Sequence, residues 1–246
     1  MNFKLEIIGF TIDSCIVAQA AGADRIELCD NPGDGGTTAS YGFIKAAREA
    51  LHIQLYPIIR PRGGDFLFSE EEFEIMKTDV QLCKELSCDG VVIGMLNKDG
   101  SIDKKRCSRL VSLAYPLGVS FHRAFDRCSN PFEALEDIID IGCERILTSG
   151  QQLTAAQGAD FINELIRHAD DRLIIMPGSG VRDDNIIEIA KRTGASEFHS
   201  SARIARQSEM EFFSYGMKEE LHSIISDAKA ITQMKQLLTQ FFQQGP

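Results

Sequence analysis

Short apolar runs alternate along this chain with longer amphipathic stretches, and the alternation recurs eight times. The runs begin near Phe3, Arg25, Ile53, Gly90, Val119, Arg145, Leu173 and Glu197. They are rich in β-branched and aromatic residues and have strand length. Between them, apolar positions at helical spacing predict helices over 11–22, 40–51, 69–86, 103–114, 130–142, 154–169 and 182–194. Ser69 followed three residues later by Glu72 has the form of a capping box, and Gly22, Gly142 and Gly194 stand where helix C-caps belong.

Apolar strands separated by helices predict a parallel sheet, because parallel neighbours need crossovers and the crossover helices bury the sheet's faces. Eight such units in a chain of 246 residues match a closed (β/α)8 TIM barrel. A doubly wound open sheet is the alternative. Against it, the first strand-to-helix turn, residues 9–13, lacks the glycine spacing of a dinucleotide site. Beyond the eighth strand the pattern lapses over 205–221, where Phe212, Phe213 and Tyr215 cluster. It resumes as a helix from about 224 to 242 with Ile224, Ala228, Ile231, Leu238 and Phe241 on one face. We expect one domain over 1–246, with a barrel core over about 3–204 and a C-terminal helical extension over about 205–246. The extra helix packs on the barrel or, in a second reading, forms a homo-oligomer surface.

Composition narrows the function. A net charge of −10 and a pI near 5.0 argue against nucleic acid as a partner, since phosphate backbones demand a continuous basic surface. No apolar run is long enough to span a membrane. Met1 to Gly9 reads straight into a strand, without the regions of a secretory leader. Seven cysteines, an odd number, are expected to be reduced, and the expected location is cytoplasmic.

The candidate chemistry lies where strands end. After the third strand, IIRPRGGDF (Ile58 to Phe66) passes abruptly from apolar residues to Arg60 and Arg62; burying Arg60 there calls for an anionic partner. Glu27 lies in the second strand. His122, Arg123 and Asp126 follow the fifth, and Ser149 the sixth. Gly178, Ser179 and Gly180 follow the seventh, and His199, Ser200, Ser201 and Arg203 accompany the eighth. In a TIM barrel all of these ends open on one face, the face that hosts chemistry. Arg60, Arg62, Arg123, Ser149, Gly178, Ser179, Gly180, His199, Ser200, Ser201 and Arg203 are therefore candidates for binding a small anionic ligand. Part of that site would be the N-terminus of a helix opening at Arg182. Glu27, His122 and Asp126 are the acid–base candidates. Cys29 and Cys128, in the loops after strands two and five, are the candidate metal ligands; no C-x-x-C pair supports them.

These residues fall in long stretches of fixed order: AQAAGADRIELC (Ala18 to Cys29), GGTTASYG (Gly35 to Gly42), IIRPRGGDF, FHRAFD (Phe121 to Asp126), RILTSGQ (Arg145 to Gln151), MPGSGVR (Met176 to Arg182) and EFHSSAR (Glu197 to Arg203). Together they resemble the CutC family of copper homeostasis proteins, from Leu5 to about Arg203. The resemblance implies a TIM barrel and a part in cytoplasmic copper homeostasis, with copper(I) bound or trafficked through cysteines. The motifs themselves, mostly Glu, Arg, His, Asp, Ser and Gly, imply the alternative of an enzyme for a small anionic or phosphorylated metabolite.

Overall fold

A computed structural model describes residues 3–218 and 221–244. Eight strands and eight helices alternate: β1 (Lys4–Gly9), α1 (Ile12–Ala20), β2 (Arg25–Leu28), α2 (Tyr41–Ala50), β3 (Gln54–Pro57), α3 (Glu70–Glu85), β4 (Gly90–Ile93), α4 (Lys104–Ala114), β5 (Gly118–Phe121), α5 (Pro131–Asp140), β6 (Arg145–Thr148), α6 (Ala159–Ala169), β7 (Ile174–Pro177), α7 (Ile186–Thr193) and β8 (Glu197–Ser200). A hairpin of β9 (Arg203–Gln207) and β10 (His222–Ser226) intervenes before α8 (Ala228–Gln244). The parallel strands form two arcs, ordered β3-β2-β1-β8 and β4-β5-β6-β7. A parallel bridge from Ile58 to Val92, with the Ile59 N–H donating to Val92 O at 2.8 Å, joins β3 to β4. The other seam sets β7 beside β8. This is the TIM barrel that the alternation predicts.

Local chemistry sets the helix starts. Side chains of Thr11, Ser40, Ser69, Asp103 and Asn130 accept the otherwise unpaired N–H groups of α1 to α5, and the Ser69–Glu72 capping box is complete. The apolar core lies between the strands and the helix ring, where Leu5, Ile26, Leu28, Ile44, Leu110 and Phe198 are buried. Each large side chain so buried contributes roughly 1.5–3 kcal/mol.

The inside of the barrel is different. A strand alternates its faces with a period of two, so Ile26 and Leu28 of β2 join the apolar core while Arg25 and Glu27 enter the lumen. Arg25 is bonded to Glu6 through Nε and donates Nη2 to Glu197 Oε2 at 2.6 Å. Arg145 donates Nε to the same Glu197 oxygen at 3.1 Å, and Nη1 to Ser120 Oγ and Glu144 Oε2 at 3.0 Å each. The Tyr56 ring sits beneath both guanidinium groups, 5.2 Å from Arg25 and 5.3 Å from Arg145. Gly90 makes room for it, since a Cβ at that position would collide with the ring.

Two sequence expectations are corrected at the C-terminal end. Residues 203–207 and 222–226 form an antiparallel hairpin, so the stretch after β8 holds regular structure where the apolar pattern lapses, and α8 begins at Ala228 instead of about 224. Ile224 satisfies the helical spacing by coincidence and pairs with Ala205 across the hairpin. α8 packs between α7 and α1 and buries Ile231, Met234 and Leu238. It therefore fills the eighth place of the helix ring, held there by Lys235 bonded to both Asp24 oxygens at 2.6 and 2.7 Å.

Candidate functional site

The strand C-termini surround a cavity of about 490 Å³. Its floor carries a linked set of ionisable groups from β1, β2 and β8. His199 Nδ1 lies 2.7 Å from Glu6 Oε1, and its Nε2 lies 3.7 Å from Glu27 Oε2. All three side chains are buried. Burial acts against charge on Glu6, but Arg25 and His199 outweigh it and hold this carboxyl well below the usual range. Among the described residues Glu27 has no ion pair with an arginine, and Arg25 acts on it more weakly than His199 does. Burial, opposed by His199 and reinforced by the Glu6 charge, pushes it up to about 7. For His199 burial also disfavours the charge, yet the bond to Glu6 and the charges of Glu27 and Glu6 prevail and raise its pKa.

The wall from β3 and β5 presents donors. Arg60 is 5% exposed. Its Nη1 donates to Asp34 O and Gly36 O at 2.8 Å each, its Nη2 donates to Gly64 O at 2.9 Å, and its guanidinium covers the Phe66 ring at 4.8 Å. Nε is buried without a partner. His122 packs on Phe66 at 4.9 Å between ring centroids. Gly94 stands against the same imidazole, where a Cβ would collide with it. Nδ1 of His122 accepts from the Ala124 N–H at 3.2 Å, which assigns the ring proton to Nε2. That nitrogen too is buried without a partner. Burial and then the nearby Arg60 charge lower the His122 pKa to about 3, leaving a neutral imidazole.

The remaining candidates divide between the cavity and the scaffold around it. Arg123, Ser179, Gly180, Ser201 and Arg203 line the cavity, as does Arg127, which the sequence reading missed. Ser179 and Gly180 both adopt left-handed backbone, φ +76 and +73. Gly178 abuts Leu147 and His199. Ser200 donates to Val181 O at 2.7 Å, tying the seventh loop to the eighth. Asp126 is occupied by Arg123 of its own loop and by the end of β6: it accepts from Arg123 Nε at 2.8 Å, Thr148 Oγ1 at 2.5 Å, Ser149 Oγ at 3.0 Å and the Gln151 N–H at 3.1 Å. The imidazole held by carboxylates is thus His199, not His122. Arg62 turns outward to Glu72 at 2.6 Å and Asp65 at 3.0 Å and does not line the cavity. Nor does the seventh loop lead directly into a helix. Residues 182–185 form a turn, with the Arg182 N–H on Asn185 Oδ1 at 2.9 Å, and α7 begins only at Ile186.

The two cysteines fall in different apolar clusters. Cys29 is packed with Ile8, Tyr56, Ile58 and Val92, and burial followed by the Glu27 charge raises its thiol pKa. Cys128 accepts from Gln151 Nε2 at 3.5 Å, and burial with Asp126 pushes it up to about 11.

Eight parallel units closing around a lumen, with a polar cavity at the C-terminal mouth, define the molecule as a TIM-barrel protein. Within that class the chain belongs to the CutC family, whose model matches residues 3–204. A CutC family protein of Parabacteroides distasonis is 53% identical over 213 residues, 86% of this chain and 88% of its own. The human copper homeostasis protein cutC homolog is 45% identical over 211 residues, 86% of this chain and 77% of its own. The crystal structure of CutC from Streptococcus agalactiae superposes with a TM-score of 0.78 at 32% identity, covering 81% of this chain and 98% of that one. The family match ends where the β9–β10 hairpin begins. Among the described residues, no helix is long and apolar enough to cross a membrane.

Proposed function

We propose that the barrel mouth binds a small anionic metabolite and that the chain is an enzyme acting on it. The observation that carries this reading is the pair of buried, unpartnered N–H groups, Arg60 Nε and His122 Nε2, on residues lining one cavity. Leaving such a donor unsatisfied costs about 1–3 kcal/mol. Acceptor oxygens of a carboxylate, phosphate or enolate would relieve both. Arg123, Arg127 and Arg203 on the rim add positive potential.

A neutral imidazole and a guanidinium lining one cavity suit a reaction in which negative charge develops on a substrate oxygen, because fixed donors stabilise that charge without reorganising. In this reading the family's connection to copper homeostasis runs through a metabolite. Support for direct cuprous ligation is weak, because Cys29 and Cys128 occupy separate buried surroundings with thiols held in the protonated form.

The test is a thermal-shift panel of inorganic phosphate and phosphorylated and carboxylate metabolites on wild type, Arg60→Lys and His122→Asn. A ligand at a hundred times its Kd stabilises by about 2.7 kcal/mol, which for a domain of this size raises Tm by roughly 5–10 °C. At least one anion should produce that rise in wild type and lose most of it in both variants. No rise with any anion in wild type would overturn the proposal.

A further inference from the structure

Glu27 is a buried carboxylate, 3% exposed, whose one charged neighbour of opposite sign within 4 Å, among the described residues, is His199 at 3.7 Å. The Cys29 thiol is a further hydrogen-bonding neighbour. A carboxylate in that position is expensive unless it is paired or coordinates a metal. The distance to His199 Nε2 is informative. It is too long for a hydrogen bond, yet close to the roughly 3–3.4 Å that separates two ligand atoms each about 2.1 Å from one cation.

His199 is already set for such a role. Nδ1 faces Glu6 Oε1 at 2.7 Å, and Glu6 is itself fixed by Arg25. A carboxylate that accepts from one imidazole nitrogen, leaving the other to present its lone pair once the entering cation displaces its proton, is the usual support of a metal-binding histidine. Ligand atoms of Glu6, Glu27 and His199 lie within 4.8 Å of one another, and among the described residues this is the one group of three or more His, Cys, Asp or Glu so arranged.

An independent observation comes from the opposite wall. His122 is 3% exposed, lines the same cavity as Glu27 and His199, and its Nε2–H has no acceptor. A water or ligand oxygen bound to a cation between Glu27 and His199 would supply one.

We propose that His199 Nε2 and the Glu27 carboxylate bind a divalent first-row transition-metal cation such as Mn²⁺, Co²⁺ or Zn²⁺. Glu6 orients the imidazole, and the open coordination positions face the cavity. One imidazole nitrogen and carboxylate oxygens, with no thiolate, suit these ions and do not suit Cu(I), which selects thiolate and thioether. The cation would be a resident of the site, a Lewis acid for an oxygen ligand that His122 also contacts. Metal uptake is measured directly, so it stands or falls separately from anion binding.

The test titrates Mn²⁺ and Co²⁺ calorimetrically into the chelator-treated full chain. Wild type should take up one equivalent. Glu27→Gln and His199→Gln should each weaken binding at least about tenfold, as loss of a ligand or its support does, and Cys29→Ser should retain it. Circular dichroism verifies that the variants are folded. The absorption spectrum of Co²⁺-loaded wild type tests the donor set without any variant: it should show ligand-field bands with no sulfur-to-cobalt charge transfer. No uptake at millimolar metal, uptake that survives in both Glu27→Gln and His199→Gln, or a sulfur charge-transfer band would each overturn the proposal.

Discussion

Two polar layers share the lumen of this barrel, and they treat their charges in opposite ways. In the middle layer Glu6, Arg25, Glu197 and Arg145 pair with one another around the Tyr56 ring, and among the described residues Arg25 Nη1 is the one fully buried atom of these four side chains without a hydrogen bond. At the mouth, one layer further along the strands, Arg60 keeps Nε free, His122 keeps Nε2–H free, and Glu27 faces His199 across a gap. The residue types are similar. What differs is completion. A layer that satisfies itself holds the strands together, whereas a layer with unmet donors and an underpaired carboxylate is arranged for something that enters.

The largest expected effect follows from breaking the closed layer. Glu197→Ala removes the carboxylate that bridges Arg25 and Arg145 and leaves two buried cations underpaired. Removing one partner from a buried pair typically costs about 3–5 kcal/mol, so the urea midpoint should fall steeply. A change under about 1 kcal/mol would mean that this layer is not a structural brace.

The framework of the barrel was legible because each strand announces itself twice, by β-rich apolar composition and by the helix punctuation on either side. Ser69 and Glu72 read as a capping box and form one. The lumen was less legible, though the signal was present. Alternation along β2 sets Arg25 on the face of Glu27, and along β8 it sets Glu197 on the face of His199, yet Arg25 and Glu197 were read only as strand starts. Pairings between strands far apart in sequence, such as Glu6 with His199, depend on the closure of β1 onto β8. No local pattern encodes that. The β9–β10 hairpin escaped notice because all of β9 is exposed and therefore carries no apolar periodicity, while Ile224 happens to fall in step with α8. Arg60 and Arg62 make the same point in miniature. They stand two residues apart in one motif, but Pro61 lies between them, and the first enters the cavity while the second joins Glu72 at the start of α3.

The smallest expected effect sharpens that contrast. Arg62 is 38% exposed in its side chain, where ion pairs contribute about 0–1 kcal/mol. Arg62→Ala should move the urea midpoint by no more than that and should leave every anion-induced thermal shift at the mouth unchanged. Loss of those shifts would assign Arg62 to the site after all.

The claim that the mouth waits with unmet donors is tested most directly by nitrogen NMR of histidine-labelled protein. His122 can be assigned among the five histidines by comparison with His122→Asn. With its pKa lowered to about 3, His122 should remain a neutral imidazole, protonated on Nε2, from neutral pH down to about pH 4, two units and more below the ordinary midpoint near 6.5. The Nε2 resonance should move when an anion that raises Tm is added. Titration near the ordinary midpoint, a proton on Nδ1, or an Nε2 signal indifferent to such an anion would contradict the account.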